Sequence, residues 1–204
     1  MIDTIVFDFG GVLMKTGEPF GRREWEARLN LRPGELERVV HGSHLAAQAQ
    51  AGTVTLDHFW QDVAATLGIP ADQIPTFRAD FFRDDRLDLD LMLLIDSLHK
   101  QGYKVGLLSN DSTLLEGKLR DELHIYFKFD AVVISALIGI MKPAPGAYQA
   151  MAQALNVPCE SCVFIDDNLA NIEGARSVGM ETIHYQAGMD VQAALAPILR
   201  GAHV

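Results

Sequence analysis

Three aspartates follow apolar runs that are typical of buried strands. Asp8 comes after DTIVF, and Asp166 and Asp167 come after CVFI. A carboxylate at the end of a buried strand is costly to desolvate unless a neighbouring group uses its charge. Carboxylates that share one pocket repel one another unless a divalent cation holds them, and hard oxygen ligands suit Mg²⁺. The sequence therefore predicts a Mg²⁺ site, provided that the first and last of these runs meet.

A hydroxyl, an amide and an ammonium group stand at two further strand ends. Ser109 and Asn110 close the run KVGLLSN, and Lys142 lies in IMKPAPG, just after the run AVVIS. Prolines at 143 and 145 indicate a helix start beyond the lysine. Ligands of open parallel sheets bind outside the carboxyl ends of the strands. We expect these side chains to join the aspartates in one site that can hold a small anion.

The elements that must position these residues alternate along the chain. Short runs rich in apolar and β-branched residues recur, and amphipathic stretches long enough for crossover helices separate the later ones. The runs are DTIVF, KVGLL, AVVIS, CVFI and ETIHY. This alternation predicts an α/β fold, with helices on both faces of a parallel sheet.

The interval from 15 to 86 contains no convincing strand and has helical patterns instead. They are PFGRREWEARLN, PGELERVVHG, TLDHFWQDVAATLG and ADQIPTFRADFF, the last of which Pro75 can divide. We predict a core of residues 1–14 and 87–204 and a helical cap of residues 15–86. The acidic run RDDRLDLD, near residues 83 to 90, is interpreted as a solvated hinge between them.

Composition limits the partners and the location of the protein. The 204 residues carry a net charge of -10 without a run of lysines or arginines. Neither a nucleic acid nor an anionic membrane is therefore expected as a partner. No apolar stretch has membrane-spanning length, and the first strand starts too early to leave room for a signal peptide. We expect a cytoplasmic protein, and the sequence predicts no oligomeric state.

Two cysteines form a lone C-x2-C pattern at the entry to the run CVFI. Such a pair could indicate a redox couple or half of a zinc site. The sequence has no second pair, however, and Cys162 occupies a position that suits a small core residue. We interpret Cys159 and Cys162 as structural.

The four motifs, in this order, resemble those of the haloacid dehalogenase-like (HAD) hydrolase superfamily. They are DFGGVL, LLSN, MKP and FIDDN, and the resemblance covers nearly the whole chain. The segments LSNDS and FIDDNLANIEGARSVGMETIHY look most like the bacterial sugar-phosphate phosphatase branch typified by α-D-glucose-1-phosphate phosphatase. The resemblance implies a Rossmann-like, doubly wound parallel sheet of five strands with an inserted helical cap of the C1 type.

The resemblance also implies a role for each motif. Asp8 would be the nucleophile that becomes an aspartyl phosphate. Ser109, the backbone amide of Asn110, and Lys142 would bind the phosphoryl group. Asp167 would bind Mg²⁺ directly, together with Asp8 and the backbone carbonyl of Gly10, while Asp166 would act through a bound water, although the resemblance leaves open which member of the pair touches the metal. For Asp166 the alternative is to fix Lys142. Asn171 would either support the metal site or lie on the helix surface.

Gly10 departs from the pattern of most phosphatases of this family, which carry an acid-base aspartate at this position. A general acid-base group is worth about 10² to 10⁴ in rate, so its absence matters. The resembled branch also has glycine there and remains active. Alternatively, a good leaving group needs less help, or another group activates water. Candidates for that group are Asp166 and the histidines His41 and His44.

The function predicted is hydrolysis of a small phosphorylated metabolite, with sugar phosphates favoured. His41 and His44, on a His-Gly-Ser-His loop of the cap, would contribute to specificity. The alternatives are a 2-haloacid dehalogenase, which would leave the acidic pair without a purpose, and a binding-only family member. A phosphosugar mutase is disfavoured by Gly10, and a receiver module by the order of its motifs.

Overall fold

The computed structural model describes residues 1–200, and a five-stranded parallel sheet lies at its centre. The strands are β1 (Thr4–Phe7), β2 (Met14–Thr16), β3 (Asp85–Leu87), β4 (Lys104–Ser109), β5 (Ala131–Ile134), β6 (Cys162–Asp166) and β7 (Glu181–His184). The sheet has the order β5-β4-β1-β6-β7, and every neighbouring pair is parallel. The five apolar runs of the sequence form these five strands, as predicted.

Helices cover both faces of the sheet, so the doubly wound α/β fold is confirmed. They are α1 (Phe20–Arg28), α2 (Glu35–Gly42), α3 (Ala46–Gln50), α4 (Leu56–Leu67), α5 (Ile74–Phe82), α6 (Leu89–Lys100), α7 (Leu115–Gly117), α8 (Ser135–Ile138), α9 (Pro145–Leu155), α10 (Leu169–Ser177) and α11 (Val191–Arg200). Because side chains alternate along a strand, Ile5 and Phe7 pack towards α6 and α11, whereas Val6 packs towards α9 and α10.

The chain order of the strands puts a topological switch point beside β1. From β1 the sheet continues through β4 and β5 on one side and through β6 and β7 on the other. Crossovers that leave in opposite directions open a crevice outside the carboxyl ends of the central strands. The ends of β4, β1 and β6 are therefore the ends that can share one ligand site.

The inserted helices α1 to α5 have a hydrophobic cluster of their own, separate from the clusters on the two faces of the sheet. Local signals set their ends. The Thr55 hydroxyl caps α4 by accepting a hydrogen bond from the amide of His58 (3.2 Å), and Gly68 ends it in the left-handed conformation. Pro75 lies in the first turn of α5, after a separate 3-10 turn, Ala71–Gln73, so it divides this helical pattern.

The acidic run is more ordered than the solvated hinge that we expected. Residues 85–87 of the run form β3, which pairs antiparallel with β2 to make a short ribbon where the inserted helices leave the sheet. Asp85 accepts a hydrogen bond from Thr16 (2.7 Å), and Asp88 caps α6 and pairs with Lys15. The side chain of Arg22, 8% exposed, also reaches Asp85 and so ties α1 to the ribbon.

Among the helices of residues 1–200, none has both the length and the apolarity that a membrane crossing requires. The cytoplasmic location stays a prediction.

Candidate active site

The central strands bring the three aspartates of the sequence together at one edge of the sheet. Asp8 directly follows β1, and its amide extends the pairing with β6 by donating to the carbonyl of Ile165 (2.9 Å). Asp166 is the last residue of β6, and Asp167 follows it. One carboxylate oxygen from each of Asp8, Asp166 and Asp167 lies within 4.8 Å of the others. Strand register, rather than local sequence, produces this cluster.

Lys142 crosses the cluster from the loop between β5 and α9. Its ammonium group donates to Asp8 Oδ1 (2.7 Å) and to Asp166 Oδ2 (2.7 Å). The residue is only 3% exposed, so water screens these two ion pairs weakly. An ammonium group has three N–H donors, and these two contacts leave one for a ligand.

Asp166 and Asp167 differ in their surroundings, although they are neighbours in the chain. Asp166 is fully buried, and both of its oxygens accept hydrogen bonds from Asn171, in addition to those from Lys142 and the amide of Asn168. Asp167 is exposed, and within residues 1–200 the hydrogen bond to its carboxylate comes from its own backbone amide. Asp167 is therefore free to bind a ligand, whereas Asp166 is fully engaged in holding its neighbours.

The cluster brings three carboxylates together with the ammonium group of Lys142, so its negative groups outnumber that cation. Burial, with Asp166 adding to it and Lys142 opposing it, raises the pKa of Asp8 to about 7. Burial and the nearby Asp166 also raise the pKa of Asp167. Both effects disfavour ionised carboxylates, and a divalent cation would reverse them. Carboxylate oxygens of this number and hardness suit Mg²⁺, so the donor set fits the predicted metal.

Ser109 and Asn110 stand beside this cluster, at the end of β4. Within the described part of the chain, no hydrogen bond engages the Ser109 hydroxyl, which leaves it available to a ligand. The side chain of Asn110 has a task that sequence analysis missed. Its amide group donates to the carbonyl of Lys142 (2.8 Å), and its oxygen accepts from the amide of Lys142 (2.9 Å). Asn110 thereby fixes the main chain that carries the lysine.

The two glycines after Asp8 have different reasons to be glycine. Gly11 has a φ of +81°, and a Cβ there would lie 2.6 Å from the carboxyl carbon of Asp167, which is too close. Gly10 has no such constraint, because a Cβ at Gly10 would meet no atom within 4 Å. The loop therefore needs Gly11 in order to bring Asp167 close, while Gly10 leaves open space beside Asp8.

A second layer of contacts supports the lysine loop and the acidic pair. Asn171, whose role was left open, is buried and bonds to Asp166 (3.0 Å and 3.1 Å). Tyr148 donates to the carbonyl of Asn171 (2.7 Å). Gly174 lets α10 approach the lysine loop, since a Cβ there would lie 2.6 Å from the carbonyl oxygen of Pro143. An isolated glycine inside a helical pattern was the available sequence signal for this close approach.

The two histidines lie in the inserted region, and their side chains contact residues of its helices. His41 belongs to α2, is 59% exposed, and has its ring edge-on to Phe81. His44 follows α2, is 72% exposed, and approaches the carboxylate of Asp62 (3.7 Å). No hydrogen bond in the described chain joins either histidine to the sheet-edge cluster.

The cysteine pair lies away from the site, at the start of β6. Cys159 and Cys162 are free thiols. Burial raises the pKa of Cys162 to about 12, so its thiol is unreactive at neutral pH. The surroundings of Cys162 agree with a structural role.

The chain is similar to known proteins in family, in sequence and in fold. A family model described as haloacid dehalogenase-like hydrolase matches residues 2–179. A phosphatase from Mycobacterium tuberculosis is 32% identical over 195 residues, covering 88% of this chain and 85% of that protein. A D-ribitol-5-phosphate phosphatase from Bacteroides thetaiotaomicron is 28% identical over 218 residues, covering 98% and 99%. A HAD family enzyme from the same organism, solved with magnesium and inorganic phosphate, shares the fold with a TM-score of 0.76 at 20% identity, covering 95% and 99%.

Proposed function

The chain belongs to the haloacid dehalogenase-like hydrolases, and we propose that this phosphatase-type hydrolase removes phosphate from a small phosphorylated metabolite with Mg²⁺ as its cofactor. The observation that carries the proposal is the bridge from Lys142 to Asp8 and Asp166 inside a cluster of three carboxylates. Such a cluster can place a nucleophile, a cation and a phosphoryl group within reach of one another.

Asp8 is the nucleophile in this proposal. Among residues 1–200, the amide of Phe9 and the ammonium group of Lys142 donate hydrogen bonds to its carboxylate, and both bonds end on Oδ1. Oδ2 is therefore available for attack. Oδ2 forms a bond to phosphorus while the bond from phosphorus to the leaving alkoxide oxygen breaks, and the alkoxide takes up a proton. Water then attacks the phosphorus of the aspartyl phosphate and gives up a proton to solvent while the bond between phosphorus and Oδ2 breaks, which releases inorganic phosphate and restores the Asp8 carboxylate.

The phosphoryl oxygens are bound by groups that the protein already fixes. The third N–H of Lys142, the hydroxyl of Ser109 and the amide of Asn110 converge on the space beside Asp8 in this proposal. We name residues 109–112 the phosphate-binding loop. The Asn110 side chain acts by holding the main chain of Lys142, so it positions the ammonium group and leaves the backbone amide free for phosphate.

Mg²⁺ would be held by Asp8, Asp167 and the carbonyl of Gly10. When bound, it would neutralise charge on the phosphoryl oxygens and relieve the repulsion among the carboxylates. Asp166 is assigned to hold Lys142 rather than to bind the metal directly, because its oxygens are already engaged by four hydrogen bonds. Asp167 is exposed, and no other residue among 1–200 holds its carboxylate by a hydrogen bond, so it is the better direct ligand.

Residues 15–86 act as the cap that excludes water and selects the substrate, and residues 1–14 and 87–200 form the catalytic core; positions 201–204 of the predicted core lie outside the described residues. The cluster of buried aromatic and aliphatic residues within the inserted helices supports this division. A sugar or polyol phosphate is the favoured substrate, in keeping with the D-ribitol-5-phosphate phosphatase to which the chain is similar and with the glucose-1-phosphate branch that its motifs resemble. His41 and His44 remain proposed contributors to specificity.

The test is phosphate release from p-nitrophenyl phosphate and a sugar-phosphate panel, with and without Mg²⁺. We expect turnover to require Mg²⁺ and to be lost in Asp8→Asn, which keeps the side-chain shape but removes the nucleophile. Asp3→Asn, near the start of β1 and on the opposite edge of the sheet, is the matched control and should behave as the unchanged protein. Turnover that survives Asp8→Asn would contradict the proposal. Chloride release from 2-chloropropionate without metal would favour the dehalogenase, and binding without turnover the degenerate member.

A further inference from the structure

Ser135 lies between the phosphate-binding loop and the cap, although none of the four motifs contains it. It is the first residue of α8, directly after β5, and only 1% of it is exposed. Its hydroxyl oxygen accepts a hydrogen bond from the amide of Asp111 (3.0 Å). The same hydroxyl donates to the carbonyl of Gln50, at the end of α3 (2.5 Å). One buried side chain therefore touches both the loop and the cap.

The hydroxyl has one proton and two carbonyl oxygens within reach. One is that of Gln50 in the cap, and the other is that of Asp111 in the phosphate-binding loop (3.3 Å). A serine hydroxyl can donate to only one of them at a time. The shorter distance assigns the proton to Gln50 while the cap is docked. If the cap moves away, the carbonyl of Asp111 is the acceptor that remains.

A second contact also links the cap to the phosphate-binding loop through α8. Gly52, in the turn after α3, has a φ of +72°, and a Cβ there would collide with the carbonyl oxygen of Ala136. The amide of Ala136 in turn donates to the carbonyl of Asp111 (3.3 Å). The cap turn thus rests on the first residues of α8, and the same residues hold both main-chain groups of Asp111.

The phosphate-binding loop is therefore held from two sides. On one side Asn110 clamps the main chain of Lys142, and on the other Ser135 and Ala136 hold Asp111. A shift of α8 relative to the loop would be felt two residues away, at Ser109. The hydrogen bond to Gln50 and the contact with Gly52 lie on the α8 side.

We propose that Ser135 is a positioning residue that couples docking of the cap turn, residues 50–52, to the geometry of the phosphate-binding loop. The loop binds phosphate tightly when the cap is docked and weakly when it is not. This inference rests on the proposed function, because it takes residues 109–112 to be the phosphate site. It adds a device by which closure of the cap and capture of the phosphoryl group become one event.

The experiment compares Ser135→Ala with Gly52→Ala, which disturbs the same contact from the cap side. Ser161→Ala is the matched control, because Ser161 is also buried and donates to a carbonyl, that of Pro158 (3.0 Å), near the start of β6. The readouts are the inhibition constant of inorganic phosphate, KM and kcat for p-nitrophenyl phosphate, and amide hydrogen exchange over residues 46–54. Thermal unfolding of each variant separates loss of fold from loss of coupling.

We expect Ser135→Ala and Gly52→Ala each to weaken inhibition by phosphate about tenfold, the effect of leaving a buried donor or contact unmade. KM should rise in parallel and kcat should change less. Saturating phosphate should slow exchange over 46–54 in the unchanged protein but not in Ser135→Ala. Unaltered phosphate inhibition in both variants, with turnover still lost in Asp8→Asn, would overturn the coupling alone. Turnover that persists in Asp8→Asn would overturn the proposed function instead.

Discussion

The site residues at the carboxyl edge of the sheet and the two histidines of the proposed cap differ in exposure and in how firmly they are held. At the carboxyl edge of the sheet, Asp166 and Lys142 are 0% and 3% exposed, and each is held by several hydrogen bonds. In the cap, the side chains of His41 and His44 are 59% and 72% exposed and each has one weak ionic neighbour. The two regions are attached to each other through the ribbon β2–β3 and through the contact at α8.

Under the proposed function, this difference distinguishes a catalytic edge that tolerates little change from a cap whose exposed residues can vary. A buried charge that loses its partner is strongly destabilising, so exchanging one sheet-edge residue alone is expected to cost stability as well as activity. Exposed cap residues can change at little cost to stability, typically within about 0.5 kcal/mol. The cap keeps its shape through its own aromatic cluster, in which Trp25 and Trp60 contact Phe77 edge-on. Chemistry is therefore expected to depend on the sheet edge, and substrate choice on the cap.

The largest effect that tests this comparison is expected from Lys142→Met. This change leaves Asp8 and Asp166 buried side by side without their cation, and it removes a donor to the phosphoryl group. We expect kcat to fall about 10³-fold. The measurement is steady-state hydrolysis of p-nitrophenyl phosphate at saturating Mg²⁺.

The matched control for this lysine is Lys128→Met. Lys128 pairs with a single carboxylate, Asp96 (2.5 Å), and its side chain is 33% exposed. We expect kcat to stay within about twofold, because exposed ion pairs contribute little. Similar losses in both variants would mean that the effect of Lys142 is a general loss of stability and not one of chemistry.

Gly11→Ala is expected to have the next largest effect. A methyl group at this position would displace the carboxylate of Asp167, so we expect a loss of about 10² in kcat/KM and a higher Mg²⁺ requirement. The control is Gly68→Ala in the cap, which has a similar φ of +69° but no atom within 4 Å of the added Cβ. Both variants carry the backbone strain, about 1 to 2 kcal/mol, and only Gly11→Ala should lose activity. Equal activity losses would refute the role given to Asp167.

Gly10→Asp should produce a smaller change in the opposite direction. The open space at Gly10 accommodates a side chain, so an added carboxyl group can protonate the leaving group. We expect about a tenfold gain in kcat for a sugar phosphate, below the full range for general acid catalysis because nothing positions the new group. Gly10→Asn is the control of equal size. If Gly10→Asp leaves the rate unchanged, another group already protonates the leaving group.

The site residues at the carboxyl edge of the sheet could be predicted from the sequence, because the register of the strands places them there. Asp8, Ser109 and Asp166 are each the last residue of a strand or the next one, so predicting three neighbouring strands suffices to bring them together. The ribbon β2–β3 was missed because strands of three residues show no periodicity.

The hydrogen bonds that join one loop to another could not be predicted from the sequence, for a physical reason. The hydrogen bonds from Asn110 to Lys142 and from Ser135 to Gln50 depend on side-chain directions in irregular backbone. Ser135 and Gln50 are also 85 positions apart in the sequence. Likewise, two adjacent glycines look alike in the sequence, whereas only Gly11 has a positive φ. Local pattern predicts elements and their ends, but packing decides which loops meet.

The smallest effect is expected from the histidines of the cap. His41→Ala and His44→Ala remove exposed rings whose neighbours, Glu37 and Asp62, lie in the cap itself. We expect kcat for p-nitrophenyl phosphate to be unchanged, because this substrate lacks the hydroxyl groups of a sugar. The ratio of kcat/KM between two sugar phosphates should shift by about threefold, the size of one weak hydrogen bond. His99→Ala, a histidine on α6 of the core that pairs with Asp130 (3.1 Å), is the control. If replacing a cap histidine instead lowers kcat for every substrate, that histidine takes part in the chemistry. The expectation that chemistry depends on the sheet edge and substrate choice on the cap would then be wrong.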